Sequence, residues 1–237
     1  MSEVEPLPIS SASSVDGVIR VVAVHRELPQ QERWLPMLCE PNGARAANFR
    51  VLRYRLKKQG DPRIIAVTSA LTSEGKTTTA FNLALALAED GRERVLLVEG
   101  NIRRPKIAEM LGFATPSCFA LQLDRSLTRP NTPWEVVAAF SDNLHVLAVD
   151  STAERQGPLC APAFKSALRR LVGETYAFIV VDCPAVLGTA DVNVIADSVD
   201  ALLFTAVEGR SRRADLRRAD EHLAPANIVG TVLLGTQ

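Results

Sequence analysis

Ile64-Ile65-Ala66-Val67-Thr68-Ser69-Ala70-Leu71-Thr72-Ser73-Glu74-Gly75-Lys76-Thr77-Thr78 is the stretch on which the fold turns. Ile64–Thr68 reads as a buried strand, the loop behind it ends in Gly75-Lys76-Thr77, and the helix-compatible run Lys76–Glu89 starts at once. Strand, loop and helix in that order aim successive backbone N–H groups and a helix N-terminus at one anion. Thr72, Ser73, Glu74, Gly75, Lys76, Thr77 and Thr78 are therefore the candidate phosphate contacts. Lys76 would reach the terminal phosphates of a nucleotide, and the Thr77 hydroxyl would ligate Mg²⁺. Ala70 stands six residues before the lysine, where a glycine is usual, so strand and helix context carry the assignment. The alternative is a solvated loop with a capping threonine.

Working outward, short apolar runs alternate with helical stretches. Strand-like runs are Val95–Val98, Leu144–Val149, Phe178–Val181, Ala201–Val207 and Ile228–Leu234. Helix-compatible runs are Ala44–Lys58, Ala163–Leu171 and Arg212–Leu223. Strands that are apolar throughout and separated by helices imply a parallel sheet covered on both faces. The fold class is α/β, a doubly wound, mostly parallel sheet. Asp90-Gly91 supplies a glycine to end the first long helix. Residues 1–43 read as an N-terminal tail and connector, and 44–237 as the domain. The first ~16 residues, rich in Ser, Glu and Pro, suit a mobile tail. Val18–Val24 is open between a strand and a docking segment, and Arg33–Gly43, with two prolines and a glycine, suits an extended connector.

The 237 residues are 47% hydrophobic and 23% charged, ordinary values for a globular domain. Lys+Arg 27 balances Asp+Glu 27, and aromatics make up only 5%, so neither charge nor stacking supports a nucleic-acid partner. The four cysteines are scattered, with no metal-ligand spacing. Apolar stretches such as Ala177–Val181 are strand-sized, far below the ~18 to 20 residues of a membrane span. The acidic N-terminus lacks a signal-peptide layout. A soluble, cytoplasmic chain is expected.

Two more strand ends carry chemistry: Leu96-Leu97-Val98-Glu99-Gly100-Asn101-Ile102-Arg103-Arg104-Pro105 and Phe178-Ile179-Val180-Val181-Asp182-Cys183-Pro184. With the phosphate loop, they resemble the cytoplasmic domain of the bacterial tyrosine kinases, P-loop proteins linked to capsule and exopolysaccharide export. The similarity runs from about Leu38 to Leu234. It implies a P-loop NTPase fold and Mg²⁺ with ATP or ADP. Lys76, Asp182 and Glu99 take catalytic positions, Thr77, Asp182 and Glu99 take metal positions, and Arg103 contacts the nucleotide. The family's ring-assembly segment, Glu-x-x-Arg-x-x-Arg, falls on Ala47–Arg53, which makes Arg50 and Arg53 candidates for a homo-oligomer contact or simply a solvated face.

Departures from the family are as informative. Its paired aspartates are here Glu99 and Asn101. The glutamate carboxylate sits one C–C bond, ~1.5 Å, further out, and an amide cannot act as a general base. Ala47 replaces the assembly glutamate. The last quoted residues, Val232–Gln237, carry no tyrosine cluster. Tyr54 and Tyr176 are the only tyrosines and suit packing or surface roles. Leu71 stands where ParA/MinD-type ATPases carry a signature lysine. Leu234 or Gly235 stands where the family's base-holding asparagine follows the last strand. Along Arg210–His222, five arginines among three acids suit a salt-bridged solvated face or a partner or membrane surface.

The resemblance implies a nucleotide-binding regulatory or assembly partner of a separate membrane polysaccharide co-polymerase, peripheral to the inner membrane. It would serve export of an exopolysaccharide, capsule or holdfast-type adhesin, with weak or no kinase activity. The alternatives are an active tyrosine kinase acting on other proteins and a ParA/MinD-like positioning ATPase.

Overall fold

The computed structural model describes residues 13–15, 17–25, 34–113, 115–150 and 158–235. Of the expected mobile tail, the first ~16 residues, 1–12 and 16 lie outside them, whereas Ser13–Val15 form a strand. In chain order the elements are β1 (Ser13–Val15), β2 (Ile19–His25), α1 (Pro36–Cys39), α2 (Ala44–Lys58), β3 (Ile64–Ser69), α3 (Lys76–Ala88) and β4 (Val95–Glu99). Then come α4 (Ile107–Leu111), α5 (Phe119–Thr128), β5 (Trp134–Ala139), β6 (Leu144–Leu147), α6 (Ala161–Glu174) and β7 (Phe178–Asp182). A 3₁₀ turn (Val186–Gly188), α7 (Asp191–Ala196), β8 (Ala201–Val207), α8 (Arg213–Leu223) and β9 (Ile228–Leu234) complete the chain.

One nine-stranded sheet has the order β1-β2-β5-β6-β4-β7-β3-β8-β9. From β6 to β9 every pairing is parallel. Successive side chains of a strand point to opposite faces, and the two halves of the core divide accordingly. Ile64, Ala66, Leu96, Val98, Ile179 and Val181 face a cluster closed by α5 to α8. Ile65, Val67, Val95, Leu97, Phe178 and Val180 face the other, closed by α1 to α4. Each fully buried Leu, Ile or Phe contributes about 1.5–3 kcal/mol, so a sheet apolar on both faces must have both covered. The Ala-rich α3 is buried on nearly all sides against the sheet. Gly91, with φ 65°, donates to Ala88 O at 3.1 Å and closes that helix.

The described parts of the segment expected to be tail and connector, residues 13–15, 17–25 and 34–43, pack with the domain, which moves the boundary away from residue 44. β2 pairs in parallel with β5, Ile19 opposite Trp134. β5 runs antiparallel to β6 and was not anticipated. The stretch from 34 to 43 is docked rather than extended: Leu35 and Met37 are buried. Asn82, fully buried on α3, holds it in place. Its Oδ1 accepts from Met37 N at 3.2 Å and its Nδ2 donates to Trp34 O at 2.9 Å.

Arg50 and Arg53, candidates for an intersubunit contact, are engaged within the chain. The Arg50 guanidinium pairs bidentately with Glu89 and donates to Pro41 O at 2.7 Å. Arg53 donates to Ala86 O at 2.7 Å and lies 3.3 Å from Asp90. They clamp α2 onto the C-terminal end of α3, where cations suit the helix dipole. A charge beyond the helix end supplies that partner, and motif spacing does not reveal it. On α8 the expected salt bridges do not form, and its arginines have no ion-pair partner among the described residues.

Asn82→Ala leaves a buried N–H and a buried carbonyl unpaired, so it should cost about 2–3 kcal/mol. Urea unfolding reads this directly, and an unshifted midpoint would mean that the connector is not held this way.

Candidate functional site

The in-register pairing of β3 with β7, Val67 opposite Asp182, sets the C-terminal ends of both strands side by side. The phosphate loop springs from one and the Asp182 carboxylate from the other. Thr77, at the first turn of α3, donates its hydroxyl to Asp182 Oδ2 at 2.7 Å. Asp182 Oδ1 is buried with no hydrogen-bond partner. Burial, above all, lifts the Asp182 carboxyl to about 7; the Thr77 hydrogen bond opposes the rise, Glu99 adds to it and Lys76 opposes it. A buried carboxylate with one orphaned oxygen beside a threonine hydroxyl fits Mg²⁺, which takes oxygen ligands and offsets the charge burial disfavours.

The loop backbone is shaped for an anion. Ser73 and Gly75 have φ of 59° and 75°, in the left-handed region, so neighbouring N–H groups converge. Glycine suits position 75 because of its positive φ, and a Cβ there would oblige the Leu234 side chain to move, with Cδ1 at 2.2 Å. Lys76 folds back, its Nζ donating to Ser69 Oγ at 3.0 Å and to Leu71 O at 3.3 Å. Burial lowers its pKa, with the Asp182 and Glu74 carboxylates opposing. A phosphate replacing those two acceptors would supply the negative charge Lys76 lacks.

Thr72, Ser73, Gly75, Lys76, Thr77 and Thr78 line one cleft of about 610 Å³, together with Asn101, Arg103, Arg104 and Lys106. Glu74 is buried and turned to another task. Its Oε2 accepts from Leu71 N at 2.8 Å and its Oε1 accepts from the Ser211 hydroxyl, pinning the loop to the turn before α8. Arg103 stands on the cleft wall with its Nε donating to Asp191 Oδ2 at 2.7 Å.

Glu99 requires a correction. Its carboxylate is fully buried and faces backbone rather than the cleft. Oε1 accepts from Lys106 N and from Ile107 N at 2.8 Å, and Oε2 accepts from Val149 N at 2.8 Å. Both oxygens are thus occupied by main-chain donors that hold the start of α4 and the end of β6. The longer side chain that displaced the carboxylate lets it reach those amides. Burial raises its pKa, and the three amides oppose the rise. Gly100 completes this corner: it donates to Asp182 O at 2.8 Å, and a Cβ there would sit 3.0 Å from that carbonyl. Sequence reasoning missed Ser211 and Asn82, which are polar residues remote in the chain with no motif around them.

A phosphate loop leaving one central parallel strand, with an acid at the end of its neighbour, defines a P-loop NTPase. Residues 62–207 match the ParA family, described as NUBPL iron-transfer P-loop NTPases, and the chain belongs to that family. Tyrosine-protein kinase YwqD of Bacillus subtilis is similar at 23% identity over 216 residues, 87% of either chain. The succinoglycan biosynthesis transport protein ExoP of Rhizobium meliloti is 24% identical over 220 residues, which span 89% of this chain and 27% of ExoP. The kinase domain of the Escherichia coli tyrosine kinase ETK superposes with a TM-score of 0.67 at 19% identity, covering 89% of this chain and 83% of that one. The chain thus resembles bacterial tyrosine-kinase domains as well as sharing their fold. Among the described residues, no helix is long and apolar enough to cross a membrane.

Two outcomes follow from this geometry. Mg²⁺ held at Asp182 would need the ionised carboxylate, and burial lifts that carboxyl to about 7. Mg²⁺-dependent nucleotide binding should therefore strengthen about fivefold from pH 6 to 7, reach about tenfold by pH 8 and level off above that; a flat titration would contradict the assignment. Glu99→Gln should lower the melting temperature, since an amide cannot accept at both ends, and should leave the Mg²⁺ requirement unchanged in calorimetry.

Proposed function

We propose that this chain is a nucleotide-binding regulatory or assembly partner of a separate membrane polysaccharide co-polymerase, with weak or no kinase chemistry of its own. It would act at the cytoplasmic face of the inner membrane in making and exporting an exopolysaccharide, capsule or holdfast-type adhesin. Two features of the cleft support the division between binding and chemistry. Thr77, Asp182 and Lys76 form a set suited to a phosphate tail with its metal. The positions that would serve a tyrosine hydroxyl are held by Asn101, which takes up no proton, and by Glu99, which is committed to three backbone amides.

Asp182 and Thr77 would hold Mg²⁺, which offsets phosphate charge when bound. Lys76 would exchange Ser69 Oγ and Leu71 O for phosphate oxygens, and the loop amides would orient the tail. The likeness to ExoP, a transport protein of polysaccharide biosynthesis, supports the export setting. An active kinase is the second reading: YwqD bears that name. A positioning ATPase is disfavoured because Leu71, 41% exposed, presents methyl groups where such proteins extend a lysine.

Calorimetry should show micromolar binding of Mg²⁺ with ATP or ADP. Lys76→Ala should weaken it about 10- to 100-fold, as expected for losing a charged hydrogen-bond donor. The purified protein should carry negligible phosphotyrosine. Absence of heat with either nucleotide removes the binding half of the proposal, and a robust Lys76-dependent phosphotyrosine signal restores the kinase reading.

A further inference from the structure

Helix α8 and the turn before it hold Arg210, Arg212, Arg213, Arg217 and Arg218, all exposed. None makes an ion pair or side-chain hydrogen bond among the described residues. Several arginines elsewhere are employed, Arg50 on Glu89, Arg53 on Asp90, Arg103 on Asp191 and Arg169 on Asp200. Others, such as Arg92 and Arg129, are exposed without such a partner among the described residues, and what sets α8 apart is the crowding of its arginines between positions 210 and 218. One acid, the half-buried Asp215, lies among the five.

The placement of these charges costs stability. A helix carries partial positive charge at its N-terminal end and negative charge at its C-terminal end. Arg210, Arg212 and Arg213 crowd the positive end of α8, while Asp220 and Glu221 occupy the last turn, next to His222. Arg217 precedes Glu221 by four residues, the weaker order for a pair, and the two do not meet. Burial of Ala219 and Leu223, with Leu216 against the same cluster, already docks the helix on the sheet. The arginines contribute nothing to that docking.

We infer that the arginine-bearing half of α8 is a docking surface for an acidic polypeptide segment. Carboxylates pair with guanidinium groups bidentately, which matches five free planar donors. A lipid plane fits less well. Asp220 and Glu221 stand exposed just beyond the arginines, and none of the exposed large apolar side chains lies on α8 to enter a bilayer. A peptide can place its acids on the arginines and end before those two residues. The surface is also one hydrogen bond from the phosphate loop, since Ser211 reaches Glu74 from within it.

The test uses the full chain and a fluorescently labelled oligoglutamate peptide at about 150 mM salt, where the screening length is about 8 Å. Wild type should bind, and Arg213→Glu with Arg217→Glu should weaken binding at least about tenfold. Arg92→Glu with Arg129→Glu, remote exposed controls of equal charge change, should leave it near wild type. The α8 double variant should melt at the wild-type temperature or about 1–3 °C above it, because glutamate suits the positive helix end. No peptide binding by wild type overturns the proposal, as does an equal loss in the control variant. A lowered melting temperature in the α8 variant would make the arginines structural. Binding to phosphatidylglycerol vesicles in place of the peptide would assign the surface to lipid and overturn it too.

Discussion

The hydroxyl of Thr77 and the carboxylate of Asp182 meet at 2.7 Å although 105 positions separate them in the chain. Everything that makes the cleft a site depends on that meeting, and it depends in turn on the register of β3 against β7. A one-residue slip of a strand turns each of its side chains to the opposite face. Asp182 would then lose Thr77, and apolar residues of the two core clusters would change places. The same burial that secures the register strips water from Asp182 and leaves one of its oxygens without a partner. Sheet stability and a demand for a cation thus arise from one packing arrangement.

Around that contact the polar groups divide between work within the chain and work toward a ligand. Glu99, Glu74 and Asn82 are buried and satisfied by backbone or hydroxyl partners, so they fix loops and connectors in place. Lys76 and Asn101 line the cleft, and the buried Asp182 meets its wall through the Thr77 hydroxyl. The glutamate at 99 illustrates the boundary. A carboxylate reaching three main-chain donors holds α4 and the end of β6. Gly100 lets the backbone come close enough to Asp182 O for this corner to close.

Much of the centre was legible in the residues. Runs such as Ile64–Thr68 and Phe178–Val181 are apolar at every position, which only a doubly covered strand can use, and α2 and β9 fall where periodicity places them. The margins were less legible. β5 follows a proline- and asparagine-containing turn, and β2 is buried only at its ends, Ile19 and His25, so neither carries the uninterrupted apolar signal of a central strand. The connector reads as extended from its two prolines and a glycine, yet Pro36 opens the short helix α1, and the position of that helix is decided by the side chain of Asn82 from another element.

The sequence by itself determined the strand–loop–helix unit at Gly75-Lys76-Thr77, the apolar strands flanking it, and the replacement of an acid by Asn101. These are local matters: a backbone conformation, uninterrupted apolar runs, and the chemistry of one functional group. The tertiary structure alone decided that Glu99 turns to backbone amides, that Arg50 and Arg53 bind Glu89 and Asp90 in their own chain, and that the α8 arginines find no ion-pair partner among the described residues. Each of those outcomes depends on which groups approach within about 3 Å after folding, and distance in space between residues far apart in sequence is set by packing.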